Sequence, residues 1–217
     1  MVIALAVLLF LNPVWIAFDQ DRSGVAGLTG YEPAQVGQVT GSILSDLVFG
    51  PPTFGVTVNG SPVLDMRERS HMADVRTVLT SMALVAALAA AILVALGLAS
   101  RSARWFWRAV QAGGKALVSG VVVVGLGFAI FFDQAFELFH ELFFPPGTYS
   151  FDPRAEKLVQ LFPDQFWSET SVALAAVVLA LGLIVVFAAG RIAGSAPFAA
   201  RPSRAASPAS TASGGVQ

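Results

Sequence analysis

Four stretches of this 217-residue chain are predominantly apolar: residues 2–18, 78–99, 116–132 and 172–189. A helix that crosses the hydrocarbon of a bilayer needs about 20 such residues, because every backbone group inside it must be bonded within the segment. The second stretch is long enough as it stands, and the others suffice once flanking residues extend them. The first has no basic lead and no small-residue cleavage site after it, so it reads as a retained span and not as a secretory signal. Composition agrees with four spans. Hydrophobic residues make up 55% and charged residues 12% of the chain, with a mean hydropathy of +0.71, whereas a soluble domain carries about 25% charged residues.

Charge sets the expected orientation. Arg101, Arg104, Arg108 and Lys115 fall in the connection 100–115, and Arg191, Arg201 and Arg204 follow the last span, with no acid among them. All 14 acidic residues lie in the other two connections, 19–77 and 133–170. The positive-inside rule then puts both termini and the loop 100–115 in the cytoplasm, and the two acidic loops outside. Arg101, Trp105, Trp107 and Arg108 fit a basic and aromatic belt at the inner headgroups. The expected fold class is an all-α membrane protein with four transmembrane helices, in which residues 1–193 form one membrane domain and 194–217 a disordered cytoplasmic tail. No internal repeat of the transporter kind is visible, and no span reads as interrupted by Gly and Pro at its middle.

The outer loops carry structure of their own. Residues 32–49 place Val36, Val39, Ile43, Leu47 and Val48 at helical spacing, with Gln35, Gln38, Ser42 and Ser45 opposite, which predicts an amphipathic helix on the outer leaflet. Residues 53–64 hold Asn59-Gly60 between short apolar runs, a hairpin signal. Pro145, Pro146 and Gly147 break a helix, residues 153–162 suit a short amphipathic one burying Leu158, Leu161 and Phe162, and Pro163 suits a helix start. A small outer cap follows.

Function classes are narrowed by what is missing. A net charge of −1 argues against a nucleic-acid partner. With no cysteine there is no disulfide, thiolate nucleophile, iron–sulfur cluster or Cys-type zinc site, so chemistry falls to oxygen and nitrogen side chains. The only two histidines sit where spans meet the outer face. His71 lies in ERSHMADVR (68–76), sharing a helical face with Asp74. His140 lies in FFDQAFELFHELFF (131–144) at the end of the third span, where Asp133, Glu137, His140 and Glu141 recur at steps of four, three and four. Either histidine alone serves equally as an interfacial anchor. Carboxylates a turn into the apolar layer are costlier and point to function, and a carboxylate beside an imidazole fixes its tautomer for general-base work. HExxH fails because Phe144 takes the second ligand position, and no GxSxG, P-loop or GxGxxG is present. Zinc on His71, His140 and an acid, or haem on the two histidines, stays open as an alternative; so does a non-catalytic accessory protein.

ERSHMADVR (68–76), FELFHELFF (136–144) and YSFDPRAEKLVQLFPDQFW (149–167) among four spans resemble the bacterial integral membrane family that includes the lipoprotein intramolecular transacylase. The resemblance runs from the first span through the fourth, with Tyr149 in place of an expected tryptophan and Glu156 in place of the commoner aspartate. It implies an acyltransferase of the bacterial cytoplasmic membrane, working at the extracytoplasmic side on diacylglyceryl lipoproteins and in contact with membrane lipids. The implied reaction moves the sn-2 acyl chain to the α-amine of the lipoprotein's N-terminal cysteine. The family's motif histidines fall on His71 and His140, which are the implied catalytic pair, with Asp74, Asp133, Glu137 and Glu141 in support. No cofactor and no metal are expected, since donor and acceptor belong to one molecule.

Overall fold

The computed structural model describes residues 1–100 and 104–195. Among the described residues, three helices are long and apolar enough to cross a membrane: α5 (Met66–Ala99), α6 (Arg104–Ile130) and α9 (Asp164–Ser195). Before them come α1 (Val2–Phe10), α2 (Pro13–Arg22), α3 (Val25–Thr29), α4 (Pro33–Val48) and the strands β1 (Thr57–Val58) and β2 (Ser61–Pro62); α7 (Phe132–Phe143) and α8 (Lys157–Leu161) lie between α6 and α9. The expected loop 100–115 is helical from Arg104, and α9 runs to Ser195, two residues into the segment expected to be unstructured. Arg101, Arg201, Arg204 and residues 196–217 lie outside the described residues.

The first span departs from the expected unbroken helix over 2–18. Proline has no N–H and disfavours helix in the residue before it, so Asn12 is extended (φ −100°, ψ 145°) and caps α2 by accepting from the Trp15 amide at 2.9 Å. The result is a pair bent by 65°, α1 plus α2, which makes a fourth span only as one broken unit. The reading that no span is interrupted by Gly and Pro at its middle is thereby corrected at Pro13, where the pair breaks. The third span also departs. It ends at Ile130, Phe131 takes φ −127° and ψ 50°, and the segment with the acidic face is a separate helix, α7. Asp133 sits in its first turn, where freed N–H groups favour a negative charge.

At one end of the spans stands a cap with its own core, built from Ile16, Val25, Val39, Ile43, Phe54, Leu64, Met72, Leu158, Leu161 and Phe166 among others. Helix α4 contributes the face read from its periodicity, starting from a Glu32–Gln35 capping box. Its apolar side packs into this core instead of lying on a leaflet, because α2, β1 and α5 cover it. The hairpin pairs Thr57 with Pro62 and Val58 with Ser61 around Asn59 (φ 51°) and Gly60 (φ 79°). Both central residues being left-handed, this is the turn that Asn-Gly favours.

Helix α5 starts far outside its apolar stretch. Asp65 accepts from the Arg67 and Glu68 amides at 2.8 Å, and Glu68 reaches back to the Asp65 amide at 2.6 Å. The 34 residues span about 51 Å at 1.5 Å per residue, more than the ~30 Å hydrocarbon, so the turns carrying His71 stand in the cap. Glu68, 1% exposed, also accepts from the Leu158 amide at 2.7 Å and ties α8 to α5. Polar ties join α2 to α9 as well: Thr170 donates to Asp19 at 2.6 Å, Trp15 donates to Thr170 at 3.1 Å, and Arg22 pairs with Glu169 at 2.8 Å.

Among the spans, α6 and α9 pack closely through glycines. A Cβ at Gly114 would meet Val186 at 2.9 Å, and one at Gly182 would meet Val118 at 2.9 Å, the small-residue approach that membrane helices use. Helix α5 stands apart from that pair, and no residue of its most apolar window is buried by protein.

Replacing Glu68 by Ala strands the buried Leu158 amide, so Glu68→Ala is expected to cost about 1–3 kcal/mol. Thermal unfolding in detergent checks this. An unchanged midpoint would mean that the tie between α5 and α8 is not needed.

Candidate active site

The two histidines, 69 positions apart in sequence, meet where the cap closes over α5 and α7. Their rings lie nearly parallel, with centroids 6.1 Å apart and an interplanar angle of 26°. Each is brought there by a separate local cause. His71 occupies the projecting first turns of α5, which the capping box starts. His140 lies in the last turn of α7, before the chain turns away at Phe144 and the two prolines.

Aromatic rings frame the pair. Phe144, buried, sits 4.7 Å from His71 and 5.5 Å from His140. Phe151 meets His71 edge-on at 5.4 Å, while Tyr149 lies 5.3 Å and Phe136 4.3 Å from His140. The Tyr149 hydroxyl donates to Glu137 at 3.4 Å. Desolvation, then the carboxylates of Glu137 and Glu141, push its phenol above the ordinary value, which keeps it a donor.

The hydrogen bonding of the two imidazoles differs. Nδ1 of His140 lies 2.7 Å from the Phe136 carbonyl oxygen. A carbonyl only accepts, so Nδ1 carries the proton and the neutral ring keeps its lone pair on Nε2. His71 is 6% exposed, and its Nδ1 is enclosed with no hydrogen-bond partner.

The expected site is thus partly assembled. His71 and His140 come together. No hydrogen bond or ion pair among the described residues joins Asp74, Asp133, Glu137 or Glu141 to either imidazole. A backbone carbonyl, not a carboxylate, orients His140: the i−4 carbonyl of its own helix takes the Nδ1 position at 2.7 Å. Phe144, Tyr149 and Phe151 were not foreseen as its frame. The available signal was their nearness in sequence to His140 and the prolines, which fold them back over the rings. Nor do the described residues offer a metal cage: no three His, Asp or Glu side chains gather as a ligand set, so zinc on the histidine pair lacks the third protein ligand that such sites use.

Comparison with known proteins adds to the geometry. The family model described as lipoprotein intramolecular transacylase Lit matches residues 1–167. Among solved structures, the chain is similar to the membrane integral lipoprotein intramolecular transacylase Lit from Bacillus cereus, with a TM-score of 0.75 at 19% identity, covering 89% of each chain. Two further structures of that enzyme, each with one histidine replaced, by arginine or by alanine, give TM-scores of 0.69 at 19% identity, covering 89% of this chain and 85% and 87% of theirs. At that identity the likeness is one of fold. No curated protein matches the sequence.

Dialysis of the purified protein against EDTA is expected to leave its activity unchanged. A loss that zinc restores would reinstate a metal on the histidine pair.

Proposed function

Because the chain belongs to the lipoprotein intramolecular transacylase family, a family of multi-pass membrane enzymes, we propose that it moves the sn-2 acyl chain of a diacylglyceryl lipoprotein to the α-amine of the N-terminal cysteine, with His71 and His140 carrying the step. The observation that supports this most is the face-to-face approach of the two imidazoles at 6.1 Å, in a frame of rings that suits an ester on an acyl chain.

The two nitrogen environments suggest separate roles. An α-amine has an ordinary pKa of about 8, so at neutral pH it loses one proton to bulk solvent before it adds to the ester carbonyl and a second as it adds. His140 Nε2, left with its lone pair by the Phe136 bond, accepts that second proton. An orphaned buried N–H is rarer in proteins than an unused acceptor, so the His71 proton belongs on Nε2, where it donates to the oxyanion of the tetrahedral intermediate. Collapse breaks the bond from the acyl carbon to the sn-2 oxygen, and the His140 imidazolium returns its proton to that departing oxygen. The balance closes, with an amide formed, an ester broken and both histidines restored. No acyl-enzyme is needed, in keeping with a cysteine-free chain.

Asp74, Asp133, Glu137 and Glu141 serve this reading by drawing the substrate ammonium towards α7 before it is deprotonated. The acyl chains approach from the lipid. Phe139, Leu142 and Phe143 are exposed along α7, and the apolar stretch of α5 is unburied. Charge supports an extracytoplasmic cap, since all 14 acidic residues lie in the connections that build it, while the connection 100–115 and the segment after the last span carry basic residues and no acid. The partners are diacylglyceryl lipoproteins and membrane lipids.

The test is expression in a bacterium without its own lipoprotein N-acylating enzymes, followed by tandem mass spectrometry of a model lipoprotein's N-terminal cysteine. The intact chain is expected to yield an N-acylated, S-monoacylglyceryl cysteine. His71→Ala and His140→Ala should each reduce the rate by about 10²-fold or more at normal abundance. An unchanged diacylglyceryl species despite membrane expression would overturn the proposal.

A further inference from the structure

Resting on that reading of the histidines, we propose that Arg67 is a positioning residue for the reaction: it holds the Phe151 ring against His71 and so sets the direction of an imidazole that no hydrogen bond orients. Arg67 lies four residues before His71 on α5, so the two share a helical face. Its Nη2 donates to the Ser150 carbonyl at 3.0 Å and to Glu156 Oε1 at 2.6 Å. Its guanidinium stands 5.1 Å from the centre of the Phe151 ring. Ser150 and Glu156 flank Phe151 in sequence, and Glu156 also accepts from the Asp152 amide. One guanidinium therefore grips the segment on both sides of the phenylalanine and covers its face, which leaves the ring's contact with His71 at 5.4 Å nowhere to retreat.

The special feature is at His71 itself. An imidazole held by a carboxylate or a carbonyl keeps its direction when a neighbouring ring is lost. Nδ1 of His71 has no such partner, so packing against the rings of Phe144, Phe151 and His140, and not a hydrogen bond, fixes where Nε2 points. Arginine suits the clamp better than lysine because its planar fork donates to several acceptors while stacking on a ring. A misplacement of about 1 Å in a catalytic group is enough to cost on the order of 10²-fold in rate. The link from Arg67 to the reaction thus runs through Phe151 and His71, not through substrate.

The experiment measures kcat and KM on a diacylglyceryl lipopeptide for the intact chain, Arg67→Met, Phe151→Leu and the double variant. Carbethoxylation of His71 by diethyl pyrocarbonate is read by mass spectrometry on the same samples. Each single variant is expected to lower kcat about 10- to 100-fold with KM within about twofold. The double should be no worse than the more affected single, and His71 should react faster in all three. Phe151→Tyr, which keeps the ring, should retain most activity, as should Arg154→Met, which removes a nearby cation from the same segment. Additive losses in the double variant, a raised KM with kcat preserved, or unchanged His71 reactivity would each overturn the proposal. Should Arg67→Met fail to fold, Phe151→Leu decides alone, since it leaves both hydrogen bonds of Arg67 in place. An intact chain that makes no N-acylated product would sink the transacylase reading instead, while His71 reactivity, read without turnover, still tests the clamp.

Discussion

Glu68 accepts two backbone amides from different parts of the chain, one that opens α5 and one that opens α8. The first closes the capping box, which starts the helix about three turns before its apolar stretch and so raises His71 out of the hydrocarbon. The second anchors the end of the segment that carries Tyr149 and Phe151, and so determines which rings reach the histidines. A carboxylate this well enclosed is tolerable only because its oxygens are engaged by N–H donors. Remove it and the start of α5 rests on the Asp65 cap alone, and the path of residues 149–158 on the Arg67 bonds to Ser150 and Glu156.

The membrane part divides its work between a rigid pair and a separate helix. Helices α6 and α9 meet through Gly114 and Gly182 at distances that leave no room for a side chain, and Gln111 adds a hydrogen bond to the Val186 carbonyl at 3.3 Å. Helix α5 joins the rest mainly through the cap and through its far end, where Phe106 lies against Gly97. Between those two points its apolar face is left to lipid. A catalyst of acyl transfer within a bilayer needs such an arrangement. A closed bundle around the histidines would force both acyl chains of the substrate to leave the hydrocarbon before the ester reached the site, at about 0.8 kcal/mol for each CH2 exposed.

How much of this was legible depended on whether the signal was local. Asn59-Gly60 specified its own turn, because two consecutive left-handed residues are required and those two types accept them. The apolar spacing from Val36 to Leu47 specified a buried face, although the sequence did not say that protein rather than lipid would cover it. Pro13 was in plain view, and its break was lost only because hydropathy averaged over 2–18 ignores a missing N–H. The kink at Phe131 left no comparable mark. For the site, the pairing of His71 with His140 was readable from their equal depth at the ends of antiparallel spans. The expected carboxylate partners were not found on the rings. Periodicity reports which residues share a face, but cannot rank a carboxylate a turn away against a backbone carbonyl already at 2.7 Å. Apart from Phe136, the aromatic frame comes from Phe144, Tyr149 and Phe151, which follow α7 in a non-periodic segment where pattern gives no direction.

That frame bears on the hardest demand of the proposed reaction, which is to pass an acyl group to an amine while water is present in large excess. A carboxylate against His71 would bring its own hydration and would favour the imidazolium. Phe144, Phe151 and Tyr149 do neither. In the proposed mechanism, Phe144 and Phe151 pack apolar surface against His71 and Tyr149 against His140, which disfavours a competing water beside the acyl carbon. The amine escapes this exclusion because it is tethered to the same molecule as the ester and arrives with it, so proximity replaces the solvent access that a second substrate would require. On this reading the selectivity for aminolysis over hydrolysis is a property of the rings as much as of the histidines, and it follows from a site oriented by packing where most histidine sites are oriented by charge.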